Sequence, residues 1–482
     1  MRLSDPIDAS GYFWIPGEDT RKLPGRLTIT STGRIEPTLT VLPEFGRMAA
    51  KDSIFGEPAF HSGSPHHRRI VGIIKSKQIN DYVTLEDCHF VNSSTSIDPE
   101  LSSSTFGATH AFVGVAYGAD CDITLSELRF STSALDEWLN ISGAGVSHKL
   151  GKNNRIDSIT IQYSTPEKRQ YSLPNNMTLE INFDSTVPLG PNAVETKISQ
   201  RARISLRATE HRPVGEFFDL ALKIQNLLCF CIDEILPPDF VVGYSDEVVQ
   251  PFSGEKTHKI PIRIFYRSTL GTEPDSSISR RNMLLTYALL EPRFEDVLRR
   301  WLVAYDKYKP TFDLFFGMRV GAYKYIEAEF LSMIQAIESL HRRRNHSQRL
   351  PKEQFDNIVA AMLRTVPTEY QDFFDNKLRY SNEPTLKKRV AAMFEPYWSL
   401  YQSTESKGEL VRKIVDTRNY LTHYSSDLNT RACKGVELFH LSKRMEALLQ
   451  LHVLEILGLE RSTIEDIVAD DRQLLWKLGA TE

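Results

Sequence analysis

The stretch RNYLTH, residues 418–423, sits near the end of a helical C-terminal third and decides how that third is read. Arg418 carries a fixed positive charge, and His423 carries a ring that exchanges protons near neutral pH. Together they supply what RNA cleavage without a metal needs: a proton-transfer group, and a cation to meet the negative charge that gathers on phosphorus. Five residues apart on a helix, they lie about 140° apart around the axis, from about 3.6 residues per turn. They therefore splay over one broad edge, where a second copy of the helix packed across a two-fold could complete a site. Asn419 adds a donor and an acceptor to the same surface.

Spacing alone says little. With 13 His and 58 Lys plus Arg in 482 residues, an Arg-x4-His pair is expected by chance on the order of once. Residues 418 and 423 are the single pair of this kind in the chain. The plain alternative is an amphipathic helix that ends in a surface arginine and a capping histidine.

The surroundings carry more. The motif is preceded by LVRKIVDT (410–417) and followed by Tyr424 and the polar turn SSD (425–427). It is similar to the motif of the HEPN superfamily: Arg, a polar residue, three more residues, then His. Upstream, FLSMIQAIESLHRRRN (330–345) and SNEPTLKKRVAAMFEP (381–396) resemble the C-terminal HEPN domain of the ApeA family of bacterial anti-phage proteins. GYFWIPGEDTRKLPGRLTIT (11–30) resembles the opening of that family's N-terminal domain. The resemblance implies a metal-independent endoribonuclease acting in abortive infection, with a sensing N-terminal region.

Length predicts two or three domains with ample chain for a core. Hydrophobic residues at 41% and charged residues at 25% describe an ordinary globular protein. A net charge of -4 gives no global attraction to nucleic acid, so an RNA site has to be a local basic patch. Five cysteines without framework spacing argue against a disulfide scaffold. No charged-then-apolar leader opens the chain, and no run approaches the roughly 18 apolar residues that span a bilayer. A cytoplasmic location is expected.

Up to about residue 210 the pattern is strand-like. The runs at 27–30, 69–75, 82–91, 110–117, 123–131, 158–164 and 177–183 are short, alternating and rich in β-branched or aromatic residues. Gly, Pro, Ser and Asn turns separate them, which predicts a β-sandwich or a related mostly antiparallel fold. In HSGSPHHRR (61–69), His61, His66 and His67 stand beside Arg68 and Arg69, but their spacing fits no zinc pattern, and a solvated loop is expected. SSTSIDPELSSST (93–105) reads as a Ser-rich loop. Tyr12, Phe13 and Trp14 read as a strand anchoring its aromatics, and LDEWLNISG (135–143) as a short helix ending at Gly143.

Residues 214–236 predict a long buried helix stopped by Pro237 and Pro238, with Cys229 and Cys231 in the core. KIPIRIFYRS (259–268) returns to strand alternation, and GTEPDSSIS (271–279) reads as a linker. From about 281 the period becomes 3.6. Phe294, Val297, Leu298, Trp301, Leu302 and Tyr305 form one face; Phe330, Met333, Ile334, Ile337, Leu340 and His341 form another; Leu438, Leu441, Met445, Leu448, His452 and Ile456 form a third. The last part of the chain, from residue 461, reads as one more short helix. The expected class is α+β, a mostly antiparallel β-rich region (1–275) followed by an all-α helical bundle (281–482).

Glu338 and His341 are three apart and share a face of the helix read at 319–344. If that face meets the motif helix, Glu338 holds Arg418 or Asn419. Arg342, Arg343 and Arg344 are the expected RNA-backbone contacts. The scheme is attack by the RNA 2'-hydroxyl on its own phosphorus, with His423 as general base or acid and Arg418 stabilising the charge on the non-bridging oxygens. No cofactor or metal is needed, and no carboxylate cluster or Gly-rich phosphate loop is visible. The expected partners are RNA, a phage-derived trigger at the N-terminal region and a second copy of the chain, without a membrane. The competing readings are a non-catalytic HEPN scaffold that dimerises or docks RNA, and a glycan- or peptide-binding β-sandwich with a helical dimerisation tail. Arg, Asn and His together favour the enzyme, because a scaffold has no need of the trio.

Overall fold

The computed structural model describes residues 5–40, 69–76, 80–94, 103–150, 155–186, 197–251, 257–267, 278–321, 325–345 and 348–479. The chain divides into a β-rich unit, Met1–Cys229 with Leu236–Ile278, and a helical unit, Phe230–Ile235 with Ser279–Glu482. The class is α+β, an antiparallel β-rich region followed by helices. Among the described residues no helix is long and apolar enough to cross a membrane.

Short alternating runs give the β-rich unit its strands. In its first part these are β1 (Ile7–Trp14), β2 (Leu23–Ile29), β3 (Ile35–Thr40), β4 (Ile70–Lys75), β5 (Asn80–Glu86), β6 (His89–Ser94), β7 (Ser103–Gly107), β8 (His110–Val113) and β9 (Thr124–Thr132). There follow β10 (Ala144–Leu150), β11 (Ile156–Tyr163), β12 (Arg169–Leu173), β13 (Met177–Thr186), β14 (Ser199–Pro213), β15 (Pro238–Tyr244), β16 (Val249–Pro251), β17 (Thr257–Lys259) and β18 (Ile262–Tyr266). Fourteen of them form one sheet in the order β12-β13-β14-β9-β15-β18-β8-β5-β4-β1-β2-β3-β7-β6, and every pairing in it is antiparallel. The strands thus make a single continuous sheet where a sandwich of two is one of the expected forms.

Period-2 alternation puts Ile7, Ala9 and Phe13 of β1 inside while Asp8 and Tyr12 face out. They share a core with Leu27, Ile29, Ile74, Val83, Leu85 and Phe265, from four further strands. One core reaching strands spread along the row means that the sheet curls around it. Burying these side chains stabilises by about 1.5–3 kcal/mol each before entropy is counted. Phe13 and Trp14 enter the interior, while Tyr12 is 57% exposed.

Several boundaries differ from the sequence expectation for local reasons. The run 82–91 is two strands, β5 and β6, because Asp87 takes a left-handed backbone (φ 52°) and turns the chain. The run 110–117 stops at Val113, where Gly114 has φ 120°. Helix α1 (Leu135–Leu139) ends at Asn140, a left-handed cap, and not at Gly143. The Ser-rich stretch 93–105 is strand at both ends, with Ser93 opposite Ser104 and Ser94 opposite Ser103, and its middle lies outside the described residues. So do His61, His66, His67 and Arg68. Arg69 is a strut: it pairs with Glu86 and donates to the Cys121 carbonyl at 2.8 Å. Most of the stretch read as a linker also lies outside the described residues.

α2 (Val214–Ile232) forms as its spacing predicts, with Cys229 and Cys231 buried, and ends five residues before Pro237. Next come α3 (Tyr287–Leu290), α4 (Phe294–Lys307), α5 (Lys309–Arg319), α6 (Ile326–Arg344), α7 (Lys352–Thr365), α8 (Thr368–Leu378) and α9 (Leu386–Phe394). The chain continues through α10 (Lys407–His423), α11 (Gly435–Ile456), α12 (Arg461–Asp470) and α13 (Arg472–Lys477). α6 starts at Ile326, not 319, because α5 runs to Arg319 and Gly321 turns left-handed (φ 72°). The tail is two helices, not one, divided at Asp471, whose Oδ1 accepts from Leu474 N at 2.9 Å and caps the second.

Amphipathic stripes build the helical core. The six residues read as the α4 face are all buried, and Trp301 packs on Phe312 with ring centroids 4.7 Å apart. α6 packs against α5, α9, α10 and α11. α11 is buried along most of its length and carries an internal polar stripe at four-residue spacing, Ser442, Glu446 and Gln450. The buried Lys477 donates to Glu446 (3.0 Å), Gln450 (3.1 Å) and Asp233 (3.0 Å), which uses all three of its ammonium protons. Arg319 also pairs with Asp233, at 2.8 Å.

Candidate active site

Helix α10 is fixed at both ends. Ser406 and Glu409 form a reciprocal capping box, with Glu409 Oε2 2.8 Å from Ser406 N and Ser406 Oγ 3.3 Å from Glu409 N. At the other end Tyr424 is left-handed (φ 51°), and its N–H donates to the Tyr420 carbonyl. Leu410, Val411, Ile414, Thr417 and Leu421 are buried along one side. The chain after the helix is strapped back onto it: Cys433 N donates to Thr417 Oγ1 at 2.9 Å, and Arg431 approaches Asp416 at 3.7 Å.

The opposite side of α10 faces outward. Arg418 and Asn419 are half-buried, and His423 is exposed on the last turn. Arg418 Nη1 donates to Asn419 Oδ1 at 3.1 Å. No carboxylate pairs with Arg418, and His423 makes no hydrogen bond or ion pair, among the described residues. Thr422 Oγ1 donates to the Arg418 carbonyl at 2.7 Å, which secures the turn that carries both groups. The edge therefore presents a guanidinium, an amide and an imidazole to solvent with little internal work to do. Along the axis the backbone positions of Arg418 and His423 are about 7.5 Å apart, from a rise of about 1.5 Å per residue.

The expected supporting residues are placed differently. Glu338 pairs with Arg342 on its own helix at 3.0 Å and does not hold Arg418 or Asn419 among the described residues. A partner four residues away on the same helix is always within reach, so the local pair wins over the remote one. His341 is buried, and its Nδ1 has no hydrogen-bond partner among the described residues. Burial, with Arg389 and Arg342 nearby, pushes its pKa below the ordinary histidine value, so it is a core imidazole and not part of the open edge.

The three arginines of 342–344 are largely engaged. Arg342 also pairs with Glu383 at 2.5 Å, and Arg344 binds Glu455 at 3.0 Å and His452 Nδ1 at 3.0 Å. Arg343 donates to Ser339 Oγ at 2.9 Å and has no carboxylate partner among the described residues. Two of the three expected RNA contacts thus already have anionic partners. The reading from sequence misses Tyr420 and Tyr424, whose rings lie 5.5 Å apart beside the motif, and Lys434, whose Nζ sits 5.1 Å from the Tyr420 ring. Tyrosines four apart at a helix end were the available signal. Among the described residues no three His, Cys, Asp or Glu side chains gather as a set that could hold a metal.

Comparison with known families matches residues 8–301 to ApeA N-terminal domain 1 and residues 331–463 to Apea-like HEPN. No curated protein and no solved structure matches the chain. The first match alone spans more than half of the sequence, and at the family level the two support a HEPN nuclease of anti-phage defence. The chain, with an ApeA N-terminal domain 1 followed by an Apea-like HEPN domain, belongs to the ApeA family.

Proposed function

We propose that the helical unit is a metal-independent endoribonuclease, that the β-rich unit controls it in response to a phage-derived trigger, and that it works by abortive infection in the cytoplasm. The observation that carries this reading is the outward edge of α10, which carries both Arg418 and His423, with Asn419 as the guanidinium's partner and no carboxylate to neutralise it among the described residues. A half-buried arginine without an anion suits a phosphate. In the reaction the RNA 2'-oxygen attacks the adjacent phosphorus and the 5'-oxygen leaves. The products are a cyclic phosphate and a free 5'-hydroxyl. His423 moves the proton, and Arg418 meets the charge on the non-bridging oxygens.

The two groups splay by about 140°, so one copy offers a phosphate only part of the site. A homodimer with both motifs lining one cleft completes it, and an active obligate monomer contradicts this version. The test is growth and RNA integrity in a bacterial host expressing wild type, Arg418→Ala or His423→Ala, with and without phage. Wild type is expected to cut RNA and protect the population, while both variants fold, dimerise and do neither. Protection by the variants equal to wild type overturns the nuclease reading.

One observation favours the scaffold alternative. The helical pair α7 and α8 has no fully buried residue, and it exposes Ile358, Met362, Phe373 and Phe374. Variants that dimerise and still protect would move the function to such surfaces.

A further inference from the structure

The β-rich unit contains a cavity of about 230 Å³ with no role in the account above. Leu128, Phe130 and Val241 line it. The rings of His110, Phe218 and Tyr266, also in its lining, form a cluster: His110 lies nearly parallel to Phe218 with centroids 5.2 Å apart, and Tyr266 is 6.0 Å from each. A dry cavity of about 150 Å³ already holds a benzene ring, so this one accommodates one or two fused rings. An outer groove of about 420 Å³ shares His110, Tyr266 and Arg267 with the cavity, so the two spaces meet at these residues. Gly33 holds the groove's floor close to β18, since a Cβ on it would come within 2.2 Å of the Tyr266 carbonyl oxygen.

The polar groups point to the rest of the ligand. Gln225 lines the cavity and is 3% exposed. Its Nε2 donates to the Leu236 carbonyl at 2.5 Å, which fixes the amide's orientation, and its Oε1 accepts nothing among the described residues. A buried acceptor without a donor is costly, and a ligand N–H would satisfy it. His110 repeats the pattern. Thr109 Oγ1 has Asp87 Oδ2 at 2.9 Å and the Glu86 carbonyl at 3.3 Å as acceptors for its one proton, so the tautomer that suits it puts the ring proton on His110 Nδ1, 3.0 Å away, and leaves Nε2 as an acceptor. Burial also pushes the His110 pKa down, which keeps the ring neutral. At the mouth Arg267 is exposed and has no carboxylate partner among the described residues.

We propose that this cavity binds a small planar aromatic anion that carries a ring N–H, with its ring against His110, Phe218 and Tyr266 and its acidic group at Arg267. The site is independent of the nuclease reading, because binding is measured without RNA cleavage. The test is calorimetric titration of the full chain with indole-3-carboxylate and with its neutral counterpart indole-3-carboxamide. The carboxylate is expected to bind saturably, and the carboxamide roughly three- to tenfold more weakly, the loss of one partly solvated charge-assisted contact. Arg267→Ala brings carboxylate binding down to the carboxamide level. Ala221→Trp, which fills the cavity from α2, abolishes both while the melting curve stays that of a folded protein. No saturable binding to wild type, or binding that Ala221→Trp leaves intact, overturns the site. Equal binding of carboxylate and carboxamide overturns the anion.

Discussion

His423→Ala is expected to slow RNA cleavage by the purified chain roughly 10²- to 10⁴-fold, the usual contribution of a positioned general acid or base. The loss is expected to fall on kcat and not on KM, because in the proposed reaction the imidazole acts on a proton in transit and not on bound RNA. Folding is expected to be unaffected: the side chain is exposed and makes no bond among the described residues. Arg418→Ala loses activity too, and Arg418→Lys recovers only part of it, since an ammonium keeps the charge but not the planar fork. Arg344→Ala provides the contrast. It removes contacts to Glu455 and His452, so it is expected to lower the melting temperature, which Arg418→Ala does not.

Lys477→Ala is expected to destabilise the helical unit by roughly 1–3 kcal/mol, because Glu446 and Asp233 lose their shared ammonium and keep only Lys443 and Arg319 as cationic partners. Replacing Lys477 and Glu446 together by methionine and leucine costs less than Lys477→Ala alone, because the buried carboxylate goes with its ammonium and Asp233 keeps Arg319. The network also sets a pH dependence. Burial alone would raise the Glu446 pKa, but Lys477, Arg319 and Lys443 outweigh it and bring it to about 2 from an ordinary 4.5. A carboxyl whose folded pKa is depressed contributes its full stability above the unfolded value and loses it as pH falls toward the folded one. Melting of the helical unit is therefore expected to be level above about pH 5 and to fall steadily toward pH 2. In Glu446→Gln that part of the decline disappears.

What could be read from the sequence followed the range of the interactions. The faces of α4, α6 and α11 were legible because a buried helical stripe repeats every three or four residues, and nearly every residue assigned to them is buried. That Arg418 and His423 share one helix was legible because they lie within one and a half turns. The order of the fourteen strands was not, since β9 pairs with β14 and β15, and β8 with β5 and β18, across long stretches of chain. Nor was the partner of Lys477, which is Asp233, 244 residues earlier. The supporting role given to Glu338 went to the wrong partner because a shared helix face says nothing about which nearer cation already occupies the carboxylate. The break at Asp87 was hidden inside an otherwise unbroken β-rich run, since aspartate is among the residues that enter the left-handed region without glycine's signature.

Cleavage of RNA by its own 2'-hydroxyl, proposed at the Arg418 and His423 edge, would leave its signature in the product ends. The most direct measurement is the identity of the new RNA ends produced by the purified chain in excess EDTA, with His423→Ala as control. The account predicts 2',3'-cyclic phosphates paired with 5'-hydroxyls, formed by wild type at an undiminished rate and not by the variant. Ends carrying 5'-phosphates, activity abolished by the chelator, or equal cutting by His423→Ala would contradict it.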